Sequence, residues 1–216
     1  MVTEPTEPLS LNALDREYIF LHFGFVECAR AKTALDEVSR LSSLRRVDEC
    51  QGIEIREWIS VFDHIRMALH FSASVSRIFF PPKSWDKAKT LLAKSRGERL
   101  RALTGIEKGH PIENRKLRDH VEHMDERMDA WTTFSPRPFG GAVEQIIYPD
   151  TFKITQDAIE ASCPIIFYPA SQTVVAFGEA FDLCELKGIL EDVSVRLNVG
   201  REAYYAEKRE RETGAH

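Results

Sequence analysis

The sequence has no uninterrupted apolar run that approaches the roughly 20 residues of a membrane-spanning helix. Its first ten residues, MVTEPTEPLS, are acidic and contain proline, which is not typical of a signal peptide. Four cysteines occur in 216 residues, scattered and without a C-x-x-C pair: Cys28, Cys50, Cys163 and Cys184. Such spacing favours reduced thiols over a disulfide framework or a zinc cluster. We therefore expect a cytoplasmic protein that has no membrane segment.

Several catalytic signatures are also missing. The chain contains no Walker loop, no G-x-G-x-x-G, no G-x-S-x-G and no Cys–His nucleophile arrangement. We therefore do not expect a P-loop ATPase, a Rossmann dehydrogenase or an α/β-hydrolase. The net charge of −5 argues against a general nucleic-acid coat protein, although it leaves room for a local basic patch.

Three long helices are predicted in the first half of the chain. Apolar residues recur every three to four positions in residues 10–43, 47–79 and 84–103, which is the period of an α-helix with one buried face. Pro81-Pro82 ends the second helix. Ser84 is the expected N-cap of the third helix, and Gly97 is expected to weaken its middle.

The same period predicts which side chains are buried. The second helix is expected to bury Ile55, Ile59, Phe62, Leu69 and Ile78, and the third carries Ala88, Leu91, Leu92, Leu100 and Leu103. Aromatic residues at helical spacing are far more often core residues than platforms for stacked bases. We therefore assign these aromatic side chains to the core: Trp58, Phe62, Phe71, Phe79 and Phe80.

The period changes after a linker rich in proline and glycine at residues 136–141. Cys163–Tyr168 and Thr173–Phe177 predict a β-hairpin, and Phe152–Thr155 can add a third strand. Asp182 is the expected N-cap of a last helix.

The predicted fold is mainly α. It is a helical bundle of four to five long helices with a small antiparallel β-hairpin or three-stranded sheet before the last helix. Residues 10–135 form the bundle, and residues 136–216 supply the linker, the hairpin and a C-terminal helix that packs on the bundle. We expect a single domain overall.

The most distinctive stretch runs from Asn114 to Trp131, with the sequence NRKLRDHVEHMDERMDAW. An apolar stripe recurs there at helical spacing and consists of Leu117, Val121, Met124, Met128 and Trp131. The opposite face carries ionisable side chains, namely Arg115, Asp119, Glu122, His123 and Glu126. This dense charge makes the helix the best candidate for a functional surface.

The spacing of these residues suits chemistry on a phosphodiester. Asp119 and His123 are four apart, so the carboxylate can fix the tautomer of the imidazole. Histidine is suited to move the proton of a ribose 2′-hydroxyl, and the forked cation of Arg118 matches a phosphate. Because Arg118 and His123 lie about 140° apart round the helix, we expect two helices to pool these groups across a dimer axis.

Arg118, the polar Asp119, three intervening residues and His123 resemble the R-polar-x-x-x-H motif of HEPN domains. The wider segment LRDHVEHMDERMDAW resembles bacterial HEPN-like proteins related to abortive-infection factors. The resemblance implies a homodimeric, metal-independent endoribonuclease that acts on RNA in phage defence or beside an antitoxin partner. It implies Arg118 and His123 as the catalytic pair and Asp119 as the polar helper. No cofactor is implied.

Alternatives stay open for this helix. A second register, Arg115-Lys116-x-x-x-His120, fits less well, because a lysine cannot orient a histidine as a carboxylate can. The charged face could be a solvated surface on a non-catalytic helical dimer that binds RNA, a nucleotide or a protein. A metal site on His120 and His123 is disfavoured, because no second helix that bears ligands is evident.

Two further groups of residues complete the candidates. A basic cluster in the third helix is the best candidate for contacts with a phosphate backbone, and it consists of Lys87, Lys89, Lys94, Arg96, Arg99 and Arg101. The histidines at 22, 64 and 70 lie in helices rich in aromatic residues. We expect them to be core or boundary residues.

Overall fold

Five α-helices and one small sheet make up the part of the chain that the computed structural model describes, which is residues 13–43, 55–114, 123–134, 145–147 and 163–214. The helices are α1 Ala13–Ser43, α2 Ile55–Phe79, α3 Lys87–Thr104, α4 Met124–Phe134 and α5 Leu183–Thr213. The strands are β1 Gln145–Ile147, β2 Ile165–Tyr168, β3 Thr173–Ala176 and β4 Glu179–Asp182, and a 3-10 turn spans Pro111–Glu113. The mainly helical fold class is confirmed.

The helix α1 is packed between α2 and α5, and both neighbours run antiparallel to it. The hydroxyl of Tyr204 donates to Asp15 at one end of the α1–α5 pair (2.9 Å), and Lys187 binds Asp36 at the other end (2.7 Å). Between these ends, α1, α2 and α5 meet at Gly24, where an added Cβ would lie 3.2 Å from both Ile78 and Leu197.

The helix α3 packs against the end of α2, and the contact is made at Gly97. A Cβ at Gly97 would lie 2.7 Å from the backbone oxygen of Phe79, so α3 approaches the last turn of α2 more closely than any other residue permits. The sequence analysis predicted only that Gly97 weakens the helix and did not predict this close contact with α2. Arg99 then reaches α1, where its Nη2 donates to the buried carboxylate of Glu17 (2.9 Å).

The start of α3 differs from the prediction. Asp86, and not Ser84, is the N-cap, and its carboxylate accepts from the backbone N–H groups of Ala88 and Lys89 (2.9 and 3.3 Å). Leu91 and Leu92 were expected in the apolar stripe, but they are 67% and 70% exposed. The buried residues of α3, which are Gly97, Leu100 and Thr104, all lie in its C-terminal half, so the first two turns are largely exposed.

Burial in α2 follows the prediction at most of the described positions. Phe62, Leu69, Ile78 and Phe79 are buried, whereas Ile59 is exposed. The side chains of residues 55–58, which include two predicted core positions, lie outside the described part. Along these helices, the described chain contains none that is long and apolar enough to span a membrane.

The sheet has the strand order β1-β2-β3-β4. The predicted hairpin is confirmed as β2 and β3, in which Tyr168 pairs with Thr173 next to the turn. Strand β4 continues the antiparallel sheet, and β1 adds to β2 in parallel. Neither of these two strands was predicted. The expected third strand at Phe152–Thr155 lies outside the described residues.

The last helix starts where the sequence places it. The carboxylate of Asp182 accepts from the N–H groups of Cys184 and Glu185 (2.8 and 2.9 Å), so Asp182 is the predicted N-cap. It is also the last residue of β4, which means that strand and helix are joined without a loop. This direct junction fixes the sheet against the N-terminal end of α5.

We expect Gly97→Ala to lower the free energy of unfolding by about 1–3 kcal/mol, because the new methyl group meets a backbone oxygen that cannot move aside easily. Gly188→Ala is the matched control, since Gly188 is also inside a helix but has no heavy atom within 4 Å of an added Cβ. That change should raise the free energy of unfolding by up to about 1 kcal/mol. Urea unfolding of both variants measures the difference. Equal stability of the two variants would contradict the close contact of α3 with α2.

Candidate functional site

Of the three residues predicted to be catalytic, only His123 belongs to the part of the chain that the structure describes. Arg118 and Asp119 lie outside the described residues, as does His120. His123 is described, and it is the residue directly before α4. The predicted helix over residues 114–131 is therefore described as a helix only from Met124, and it extends to Phe134.

His123 stands at the start of α4 with its imidazole half exposed (50%). Its backbone oxygen accepts from the N–H of Arg127 (3.0 Å), which is the first hydrogen bond of the helix. The Nδ1 atom lies 3.3 Å from Oε2 of Glu126. The described carboxylate partner of this imidazole is thus Glu126, three residues later, while the predicted helper Asp119 is outside the described chain.

Arg127 joins the same helix face to the sheet. It follows His123 by four residues, so the two side chains project from one side of α4. The Nη1 atom of Arg127 lies 3.8 Å from Oε1 of Glu179 in β4, and the side chain is only 28% exposed. The sequence analysis did not select Arg127. Its spacing of four residues from His123 places both side chains on one helix face, whereas the spacing of five residues between Arg118 and His123 does not.

The remaining side chains of α4 separate into two faces. Met128 and Trp131, from the predicted apolar stripe, are half-buried. Asp125, Glu126 and Asp129 are exposed. The outer surface of this helix is therefore acidic apart from His123 and Arg127.

A groove of about 380 Å³ lies beside the turn that precedes the predicted catalytic helix. Gly109–Asn114 form one wall, and the β4–α5 junction forms the other. Its polar rim carries the carboxylates of Glu113, Asp182 and Glu185. Such a rim repels a phosphodiester, so the groove is not suited to hold the backbone of RNA.

At the edge of this groove, His110 forms a long-range contact that the sequence analysis did not identify. Its Nε2 lies 3.0 Å from Oδ2 of Asp192, and its Nδ1 accepts from the N–H of Ile112 (3.2 Å). Because Nδ1 accepts, the ring carries its proton on Nε2 and donates to Asp192. Both ring nitrogens are occupied, so His110 clamps the turn to α5 and offers no free nitrogen for proton transfer.

Asp192 also receives a hydrogen bond from Nε of Arg196 (2.7 Å), whose Nη1 donates to the backbone oxygen of Gly105 (2.8 Å). The bond from Arg196, and next the bond from His110, hold the pKa of Asp192 below its ordinary value. This network ties α5 to the end of α3 and to the turn at His110.

The basic cluster of α3 does not form the patch that the sequence predicts. The guanidinium of Arg96 lies over the ring of Phe20 (4.1 Å), and burial lowers its pKa. Arg99 is paired with Glu17, and Arg101 donates to the backbone oxygen of Phe79 (2.5 Å). The three arginines are therefore engaged by residues of the bundle, although the side chain of Arg99 is still 54% exposed.

Of the three histidines expected to be core or boundary residues, one lies at a boundary and two are exposed. His22 and His70 are exposed, and His64 is half-buried with Nδ1 2.7 Å from the backbone oxygen of Ser60. His22 stacks beside Tyr18 with 6.2 Å between ring centroids. Within the described ranges, no group of three or more histidine, cysteine or acidic side chains is arranged to hold a metal ion.

We expect Asp192→Asn to lower the stability of the protein at pH 7 and to have a smaller effect in acid. Because the folded-state pKa of Asp192 is lowered, its carboxylate contributes fully above the ordinary aspartate pKa of about 3.9. That contribution is lost as the pH falls through the folded-state pKa. Urea midpoints of the variant and the wild type, measured from pH 7 down to pH 3, should converge. Asp63→Asn, at a long and exposed ion pair, is the control and should change the midpoint little at any pH. A gap between Asp192→Asn and the wild type that stays constant with pH would refute the network.

Comparison of the chain with protein-family models, with curated proteins and with solved structures gives no match. The resemblance to HEPN domains is thus carried by the motif around Arg118 and His123. The functional conclusion has to come from the residues themselves, and His123 is the member of that motif whose surroundings are described.

Proposed function

We propose that the protein is a metal-independent endoribonuclease of HEPN type, in which His123 moves the proton of a ribose 2′-hydroxyl. The observation that carries this proposal is the half-exposed imidazole of His123, with the carboxylate of Glu126 3.3 Å from its Nδ1. An imidazole that is open to solvent on one side and oriented by a carboxylate on the other is suited to general acid–base chemistry.

The position of Glu126 favours one tautomer of His123. A carboxylate next to Nδ1 favours the proton on that nitrogen, which leaves the lone pair of Nε2 free. In the proposed step, Nε2 takes the 2′-hydroxyl proton while the 2′-oxygen attacks the adjacent phosphorus. The bond from phosphorus to the 5′-oxygen then breaks, that oxygen takes a proton from water, and a 2′,3′-cyclic phosphate remains. His123 gives the proton that it took back to solvent.

Two arginines are candidates to stabilise the charge on the phosphoryl oxygens. Arg118 has this role in the proposed HEPN site, with Asp119 as the polar helper. Arg127 is a described cation on the same side of α4 as His123, and its distance of 3.8 Å from Glu179 is long for an ion pair. A guanidinium on the side of α4 that carries His123 is placed to contact a phosphate bound at that histidine.

The proposal includes a homodimer, since two copies of the helix can supply an arginine and a histidine to one groove. A phage-defence or toxin–antitoxin setting, with an antitoxin as partner, belongs to the same proposal. In that setting the cleavage of RNA has to be silent until the partner is lost or the cell is infected.

A second candidate function is a non-catalytic module that binds another protein. The acidic outer face of α4 supports it, because Asp125, Glu126 and Asp129 are exposed beside His123. A basic protein surface is a better complement to this face than RNA is. This module would keep the helical bundle and use the same helix without cleaving a phosphodiester.

The test is cleavage of RNA by the purified protein in EDTA. We expect products with 2′,3′-cyclic phosphate ends, and His123→Ala should reduce the rate by about 10²–10⁴, the usual loss when a general acid–base group is removed. Arg118→Ala should reduce it by a similar factor. Glu126→Gln should cost less, because it removes orientation and not the proton carrier.

His22→Ala is the matched control, because His22 is also an exposed histidine on a helix and should leave cleavage unchanged. Equal cleavage by the wild type and by His123→Ala would identify a contaminating nuclease. No cleavage by any form, together with binding of a basic partner that is lost in Glu126→Gln, would favour the second candidate function.

A further inference from the structure

A second concave site lies between α2 and the sheet, away from α4. It has a volume of about 420 Å³, and we call it the α2–sheet pocket. Its walls are formed by Phe62, Ile65 and Leu69 from α2 and by Ile165, Val174 and Ala176 from β2 and β3. All six side chains are buried. The walls are therefore apolar throughout.

The strand register explains why the space is open. Ile165 pairs with Ala176 across the hairpin, so both side chains project to the same face of the sheet. Val174 lies two residues before Ala176 in β3 and projects to that face as well. The β3 side of this face thus presents small side chains toward α2. The larger residues of α2 at positions 62, 65 and 69 lie on one helix face and do not fill the gap.

The mouth of the pocket is cationic. Arg66 and His70 line it, together with Met67 and Phe71. The Nη1 atom of Arg66 is 3.7 Å from Asp63, and both side chains are about half exposed, so this pair is weak. The imidazole of His70 meets the ring of Phe71 edge-on and has no hydrogen-bond partner among the described residues.

A second arginine lies nearby, and none of the described residues that line the pocket is a carboxylate. The guanidinium of Arg30 lies over the ring of Phe71 (5.7 Å), and its Nη1 donates to the buried carboxylate of Glu27 (2.8 Å). By contrast, the groove at Gly109–Asn114 has three carboxylates on its rim. The two concave surfaces therefore differ in the charge of the residues that line them. An apolar chamber with the exposed guanidinium of Arg66 at its mouth fits an apolar molecule that ends in an anion.

We propose that the α2–sheet pocket binds a monocarboxylate with an acyl chain of roughly ten carbons, a size suited to the smaller pockets that hold organic ligands. The chain lies between α2 and the sheet, and the carboxylate lies at the mouth against Arg66 and His70. Arginine can hold a carboxylate with two parallel hydrogen bonds, which gives this end of the ligand its specificity.

The apolar walls predict how affinity depends on chain length. Each methylene that leaves water for an apolar site strengthens binding by about fourfold. Hexanoate, octanoate and decanoate should therefore bind with steadily rising affinity. Longer carboxylates should gain less per methylene once the chain fills the pocket.

Isothermal titration of the full chain with decanoate tests the proposal, with decan-1-ol and decyltrimethylammonium as probes of the same length but without negative charge. Decanoate should bind at least tenfold more tightly than either. Arg66→Gln should weaken decanoate binding by about tenfold and leave decan-1-ol unaffected. Arg16→Gln, at an exposed position near the start of α1, is the matched control and should change nothing.

Two variants test whether the acyl chain of decanoate lies in the α2–sheet pocket. Ala176→Leu fills the pocket from the sheet and should abolish binding of decanoate. Met67→Trp narrows the mouth from a side chain that is already 45% exposed, so it keeps the test valid if Ala176→Leu does not fold. Circular dichroism and thermal unfolding show that each variant keeps its helices.

Absence of decanoate binding would overturn the proposal. Equal binding of decanoate and decan-1-ol would also overturn it, because the cationic mouth would then have no role. Binding that survives in a folded Ala176→Leu or Met67→Trp protein would place the ligand elsewhere. None of these measurements uses RNA, so their outcome is independent of the proposed ribonuclease activity.

Discussion

The close approach of the long helices at glycine positions is the constraint on which the described fold depends. At Gly24 three helices meet, at Gly97 α3 reaches the backbone of α2, and at Gly200 an added Cβ would lie 2.9 Å from Thr104. Helices packed this closely exclude water from their apolar faces and place polar side chains across the contact. Two such polar contacts, of Arg99 with Glu17 and of Tyr204 with Asp15, fix how the helices are aligned.

The sheet and α4 are attached to this frame by fewer contacts. Asp182 ends β4 and caps α5, so the sheet follows the orientation of the last helix. The salt bridge from Arg127 to Glu179 then ties α4 to the sheet, and it holds the face that carries His123. The bundle therefore sets the position of the proposed catalytic histidine through two local contacts, the Asp182 junction and the Arg127–Glu179 salt bridge. The α2–sheet pocket is a second result of the same arrangement, since it lies where small residues of β3 face α2.

Local patterns in the sequence predicted the regular elements well. Helical spacing identified α1, α2 and α3, two short runs rich in β-forming residues identified the hairpin of β2 and β3, and a capping residue identified the start of α5. What the sequence could not show depends on distant partners. His110 and Asp192 are 82 residues apart. The contacts of Arg96, Arg99 and Arg101 are made with Phe20, Glu17 and the end of α2. The sequence predicts Gly97 to be a weak position in a helix, because the oxygen of Phe79 beside it can be identified only in the packed structure.

For the proposed site, residue spacing selected His123. The positions of Glu126 next to its imidazole and of Arg127 next to the sheet became visible only in the structure.

The account rests on attack by the ribose 2′-hydroxyl, with His123 as the group that removes its proton. The most direct measurement uses an RNA oligonucleotide that the protein cuts at a known position, compared with the same oligonucleotide that carries a single 2′-deoxy nucleotide on the 5′ side of that position. We predict that the all-ribose strand is cut in EDTA, and that the substituted strand resists cleavage at that position alone. Cleavage of both strands at equal rates, or cleavage that needs a divalent metal ion, would contradict the account.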